Sequence, residues 1–284
     1  MNEMYEIAKG VASFEGAPTL PGRTTGEARG GREFEAVVAE GLLKYGRLLV
    51  TAVPSLRLRP VAAEGTSKQN HLADALAVVN EENKRVLVFR LPAFRHNPLF
   101  AEITSGALQN DFVRVPDSFL KREFVVEEWY TPKLGELAER GWIPEEDEPY
   151  PFSGTNYPEL YRRKRTQFDG VIIFLESGTL REKALLEIKS LKSSEGARVD
   201  GNAHERFAYQ NLDYLEIGAL YPRTTLLLLT NDAILKYRNK YHTGIGVHAL
   251  RLSYAFCWYK FEMVSSVRQY LRLFSLWKEW LEGK

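Results

Sequence analysis

Two short segments constrain this chain more than any other part of it. They are Phe168-Asp169-Gly170-Val171-Ile172-Ile173-Phe174 and, after a polar break, Ala184-Leu185-Leu186-Glu187-Ile188-Lys189-Ser190. Two apolar runs of strand length on either side of a short polar connection read as a β-hairpin. Closing that hairpin brings Asp169, Glu187 and Lys189 to a common end. Successive strand residues face opposite ways, so Glu187 and Lys189 share one face while Ile188 points into the other layer. Charges on apolar strands lose hydration unless something pairs with them. The plainest partner is one another, as a surface ion pair at a strand end; the more informative one is a divalent metal held by the two carboxylates.

The rest of the chain is consistent with an ordinary globular protein. Its 284 residues are 44% apolar and 26% charged, enough for a substantial core. No apolar stretch approaches the roughly 20 residues that span a bilayer. Met1–Gly10 carries Glu3, Glu6 and Lys9 and lacks an apolar secretory core. Cys257 is the one cysteine, set among aromatics, and reads as a buried thiol. These features imply a cytoplasmic protein with no membrane partner. A net charge of +1 neither demands nor excludes nucleic acid. Locally, Arg162-Arg163-Lys164-Arg165 precedes the hairpin and would hold phosphates there; alone it would be a solvated loop.

Residues 1–30 are rich in Gly, Pro and Thr and read as an N-terminal arm. From Arg32 to Tyr45 apolar residues fall at helical spacing, with Gly46 as a stop, and Leu48–Val53 reads as a strand ended by Pro54. Ala75–Val79 and Arg85–Phe89 flank Asn80-Glu81-Glu82-Asn83 and predict a second hairpin. Thr225–Thr230 is a continuous apolar run suited to a sheet interior covered on both faces. Asn202 would cap a helix through Ile217, and an amphipathic helix closes the chain. No His/Cys zinc spacing, phosphate-binding glycine loop or Gly-x-Ser-x-Gly turn is present.

The order is helix, strand, long intervening segment, hairpin with Asp and Glu-x-Lys, helix, buried strand. On Asp169 and Glu187-Ile188-Lys189 the chain resembles the PD-(D/E)XK nuclease superfamily, and among its members type II restriction endonucleases. Phe168 stands where the strict motif has proline. The resemblance implies an α/β fold, a restriction-endonuclease-like αβββαβ core with a mixed central sheet flanked by helices. The whole of 1–284 would be one nuclease domain. Its core would comprise 31–60 and 166–260, with 61–165 a large insertion carrying DNA-recognition elements and 261–284 a C-terminal helix. It further implies a Mg²⁺ site formed by Asp169, Glu187 and the Ile188 carbonyl, with Lys189 orienting water or stabilising charge.

In such proteins the preceding helix often supplies a glutamate, for which Glu35 is the better match and Glu40 the weaker. Gln210 and Tyr214 resemble the Gln-x-x-x-Tyr pattern of a repair-exonuclease branch; a packed tyrosine beside a solvated glutamine would look the same. Lys192, Arg198 and Arg206 would add phosphate contacts to those of Arg162, Arg163, Lys164 and Arg165. Two other aspartates compete. Pro116-Asp117 has the literal dipeptide but no following triplet in a strand. Asp74 with Glu82-Asn83-Lys84 has the triplet, but in a turn. The expected activity is Mg²⁺-dependent, sequence-specific cleavage of double-stranded DNA by a homodimer, with the C-terminal helix either supporting the dimer or closing the monomer core. An exonuclease of the same superfamily, or a non-catalytic DNA-binding module, is the alternative.

Overall fold

A computed structural model describes residues 2–15, 26–64, 71–125, 165–190, 224–233 and 260–284. Its elements, in chain order, begin with helices α1 (Asn2–Ala12) and α2 (Gly26–Ala52) and strands β1 (Leu56–Glu64), β2 (Ala75–Asn80) and β3 (Arg85–Arg90). Helix α3 (Pro98–Thr104), strand β4 (Val113–Pro116), helix α4 (Asp117–Leu120) and strands β5 (Glu123–Val125) and β6 (Arg165–Gln167) follow. Strands β7 (Gly170–Glu176), β8 (Thr179–Lys189), β9 (Thr224–Thr230) and β10 (Lys260–Val264) and helix α5 (Val267–Glu282) complete the set. The chain divides into two units, 1–121 with 169–284, and 122–168. In the smaller unit β5 pairs antiparallel with β6, and Arg122 and Phe168 exchange hydrogen bonds at its two ends.

The larger unit is built on a mixed sheet of seven strands in the order β10-β9-β8-β7-β3-β2-β1, to which β4 adds along the second half of β1. From β1 to β8 the neighbours are antiparallel; β9 runs parallel to β8, and β10 parallel to β9. The β7–β8 turn uses Ser177 and Gly178 at φ +51° and +79°, matching the twist of the strands it joins. Alternation sorts the sheet into two covered faces. Ile172, Leu186, Ile188 and Leu229 join the helices in one core, whereas Val171, Ile173, Leu185 and Leu228 are buried on the other side.

Helices α1, α2 and α5 supply the first core. Tyr45 stacks on Phe274 with ring centroids 4.5 Å apart, and its hydroxyl donates to the Phe274 carbonyl. Helix α5 starts at a reciprocal cap between Ser266 and Gln269. At its other end the β2–β3 hairpin reaches the last carbonyls: Asn80 and Asn83 donate to Leu281 O at 2.9 and 2.7 Å, and Arg85 to Trp280 O at 2.6 Å, which also accepts from the Gly283 amide. Trp277 and Leu281 are buried. The inner face of α5 therefore closes the core of its own chain.

Three sequence expectations change. The 1–30 arm contains α1, whose Ile7, Ala8, Val11 and Ala12 are buried, and Asn231 and Asp232 after β9 hydrogen-bond the Phe14 and Ala12 carbonyls. The stretch read as a strand, Leu48–Val53, is helical instead: α2 runs on to Ala52 and Val53 follows it. Gly46 is a packing position there, since a Cβ would lie 3.1 Å from Leu58 Cδ2. The 61–165 segment is not one insertion, because β2 and β3 lie inside the sheet between β1 and β7. Expectations on Asn202–Ile217 and Cys257 fall outside the described residues. Gly41 and Gly10 offer a paired test of the helix packing. A Cβ at Gly41 would sit 2.7 Å from Val11 Cγ2, while at Gly10 nothing lies within 4 Å. In urea unfolding, Gly10→Ala should stabilise by about 0.5–1 kcal/mol and Gly41→Ala should destabilise by about 1–2 kcal/mol despite the better helix former.

Candidate active site

Strand β7 begins at Gly170, paired with Leu186, and the same register carries Asp169 opposite Glu187 at the strand end. There the aspartate side chain replaces a ladder partner: the Ile188 amide donates to Asp169 Oδ2 at 2.7 Å. A strand residue's amide and carbonyl point to the same side, so the Ile188 carbonyl also leans toward Asp169. Gly170 permits this placement, because a Cβ would lie 2.9 Å from the Arg90 carbonyl and 3.1 Å from Leu186 Cδ1. Lys189 Nζ stands 2.6 Å from Glu187 Oε1 and 3.9 Å from Asp169 Oδ2. The side chains of Glu187, Asp169 and Lys189 are 13%, 23% and 39% exposed. The carboxylates are thus shielded and the ammonium marks the open side.

Burial pulls the Lys189 ammonium down, yet its pKa ends above the ordinary lysine value because Glu187, Asp169 and Glu35 together outweigh that burial. Two conclusions follow. Lys189 is protonated at neutral pH, so it acts as a donor and a positive charge rather than as a base. Glu35, in the third turn of α2, is close enough for its charge to act on Lys189. Glu40 instead pairs with Lys44 at 2.6 Å on an exposed face. Among the described residues no group of three His, Cys, Asp or Glu side chains is gathered around one point. The carboxylates of Asp169 and Glu187, with the neighbouring Ile188 carbonyl, are hard oxygen donors of the kind Mg²⁺ takes alongside water.

The competing aspartates are otherwise engaged. Asp74 is buried between Arg90 and Arg95, at 3.3 and 3.0 Å. Asp117 opens α4 at the surface, and Glu82 and Lys84 lie in the β2–β3 turn. Gln210, Tyr214, Arg162, Arg163, Lys164, Lys192, Arg198 and Arg206 lie outside the described residues; Arg165 falls in β6, with only its backbone described. Sequence reasoning missed Thr230. It pairs in register with Lys189 and is fully buried, and its hydroxyl has no hydrogen-bond partner. It ended an apolar run whose pattern drew attention to the leucines.

These features define a mixed α/β protein with a charged cluster where two antiparallel strands end. No family model, curated protein or solved structure gives a significant match to the chain. The ion pairing itself is measurable. In a pH titration of the lysine side chains by NMR, Lys189 should titrate above the ordinary value of about 10.4. Any stability it lends is fully present below that value and is lost as pH rises through the elevated one. Glu187→Gln should lower its midpoint, since one of the charges that raise it is gone.

Proposed function

We propose that the protein is a Mg²⁺-dependent endodeoxyribonuclease of the PD-(D/E)XK kind, cutting double-stranded DNA. One observation carries the reading: Asp169, Glu187 and a protonated Lys189 meet at the end of a hairpin, with the Glu35 charge nearby. The surrounding order supports it. Helix α2 is followed by the antiparallel neighbours β1, β2, β3, β7 and β8, and β9 then returns parallel to β8. The last three antiparallel strands with β9 are compatible with the strands of an αβββαβ core to which β1 and β2 would be additions; 191–223, where its second helix would lie, is outside the described residues.

Asp169 and Glu187 would hold the cation, with the Ile188 carbonyl as third donor. When bound, Mg²⁺ supplies Lewis acidity at the scissile phosphate and lowers the pKa of a bound water. The chain's own residues do the rest. The Ile188 amide fixes the Asp169 carboxylate in place, and Lys189, already charged, donates to a phosphate oxygen and stabilises the negative charge that develops there. Glu35 adds a smaller negative charge within reach of Lys189, after those of Glu187 and Asp169, and so helps to hold its proton. Cutting both strands as a homodimer would use surfaces other than the inner face of α5.

Incubation with Mg²⁺ and a large DNA of known sequence, followed by mapping of the ends, tests the reading. Discrete ends should appear, and a closed circular plasmid should be opened. Asp169→Ala and Glu187→Ala should each lower the rate at least about a hundredfold, as expected when several kcal/mol of charge stabilisation is lost. Cleavage that survives both substitutions would place the chemistry elsewhere. A closed circle left intact while linear DNA is degraded from its ends would make the protein an exonuclease, and binding without cleavage would make it a DNA-binding module.

A further inference from the structure

The face of β8 that presents Glu187 and Lys189 presents a second charged group. From Lys183 to Lys189 the strand pairs residue by residue with Thr224 to Thr230 of β9, without a bulge. Lys183 therefore shares the face of Glu187 and Lys189, with buried Leu185 between. At about 3.3 Å per residue it lies about 13 Å from Glu187.

Lys183 is half-buried and its Nζ donates to the Lys121 carbonyl at 2.7 Å. Arg90 Nη1 donates to the Leu120 carbonyl at 2.8 Å, so the two cations meet adjacent carbonyls at the end of α4. Among the described residues the carboxylate paired with Arg90 is that of Asp74, already shared with Arg95. Among the described residues neither Lys183 nor Lys121 forms an ion pair with a carboxylate. Burial first, and then the charges of Arg90 and Lys121, draws the Lys183 pKa down to about 8. Cations that disfavour one another's charge, fixed on strands and at a helix end, are relieved by an anion.

We propose that Lys183, Lys121 and Arg90 form a subsite for a backbone phosphate of the nucleic acid, a short distance along the strand from the bond cut at Asp169 and Glu187. The proposal rests on the nuclease reading and adds to it a second point of contact: cleavage at the strand end, and phosphate anchoring beside the end of α4, with the covered Leu185 stretch of β8 between the two. About 13 Å is well within the roughly 34 Å of one duplex turn, so both positions fit one bound DNA.

The test is equilibrium binding of a short DNA duplex without Mg²⁺, across a salt series, for the parent, Lys183→Gln and Lys121→Gln. Lys121→Gln keeps the backbone carbonyl that Lys183 uses and is exposed, so it serves if Lys183→Gln does not fold. Each variant should show a salt slope shallower by about 1, so a fourfold rise in salt costs it about three- to fourfold less affinity than it costs the parent. The weakening should be the same for unrelated duplex sequences. Parent-like slopes in Lys121→Gln and in folded Lys183→Gln would overturn the subsite and leave the nuclease reading standing. A parent that binds duplex with the lysine-dependent slope but never cleaves it would keep the subsite and overturn the nuclease reading. A parent that does not bind duplex would overturn the subsite.

Discussion

The hydrogen bond from the Ile188 amide to the Asp169 carboxylate ends the β7–β8 ladder and decides what faces what at that end. Were the ladder to continue with backbone partners, Asp169 would be one more edge residue. Because its side chain takes the amide instead, the carboxylate turns across the strand toward Glu187 and Lys189. Gly170 makes the arrangement possible by letting β7 pass close to the Arg90 carbonyl on β3. Precision at the site thus derives from backbone pairing in the most buried part of the sheet, not from loops.

That buried setting also sets the electrostatics. Both faces of the sheet around the cluster are apolar, so charge there is weakly screened and pairs act strongly on one another. Lys189 meets carboxylates, which outweigh its burial, and its proton is held more tightly; burial first, and then neighbouring cations, leave the proton of Lys183 on the same face held less tightly. One strand thereby carries two lysines of opposite electrostatic character. The first suits charge stabilisation at a reacting phosphate, the second suits an anion that has still to arrive.

Much of this was legible in the sequence, and the physical reasons divide cleanly. Strands announced themselves where apolar residues filled both faces, as at β7, β8 and β9, and the shared face of Glu187 and Lys189 followed from alternation alone. Asp74 and Asp117 failed on strand context, and the fold gives them other work, in a buried arginine pair and at the start of a surface helix. Helices were harder. Gly46 read as a stop because a glycine usually weakens a helix, yet it lies within α2 at a close approach to Leu58 of β1. The glycine-rich stretch after Phe14 likewise masked the helical spacing of Ile7, Ala8, Val11 and Ala12. Lys183 was within reach of the same alternation argument that placed Lys189, had the parity been followed six residues back. Its partners on α4 and β3 were not, since they come from far away in the chain.

The central claim is that the Asp169–Glu187 end of the hairpin binds a divalent cation. Anomalous diffraction from crystals grown with Mn²⁺, a hard cation with the same preference for oxygen donors, tests it most directly. The account predicts an anomalous peak within bonding distance of both carboxylates and the Ile188 carbonyl, with Lys189 displaced from Glu187. A peak elsewhere, or a Lys189–Glu187 ion pair unchanged at saturating Mn²⁺, would contradict it.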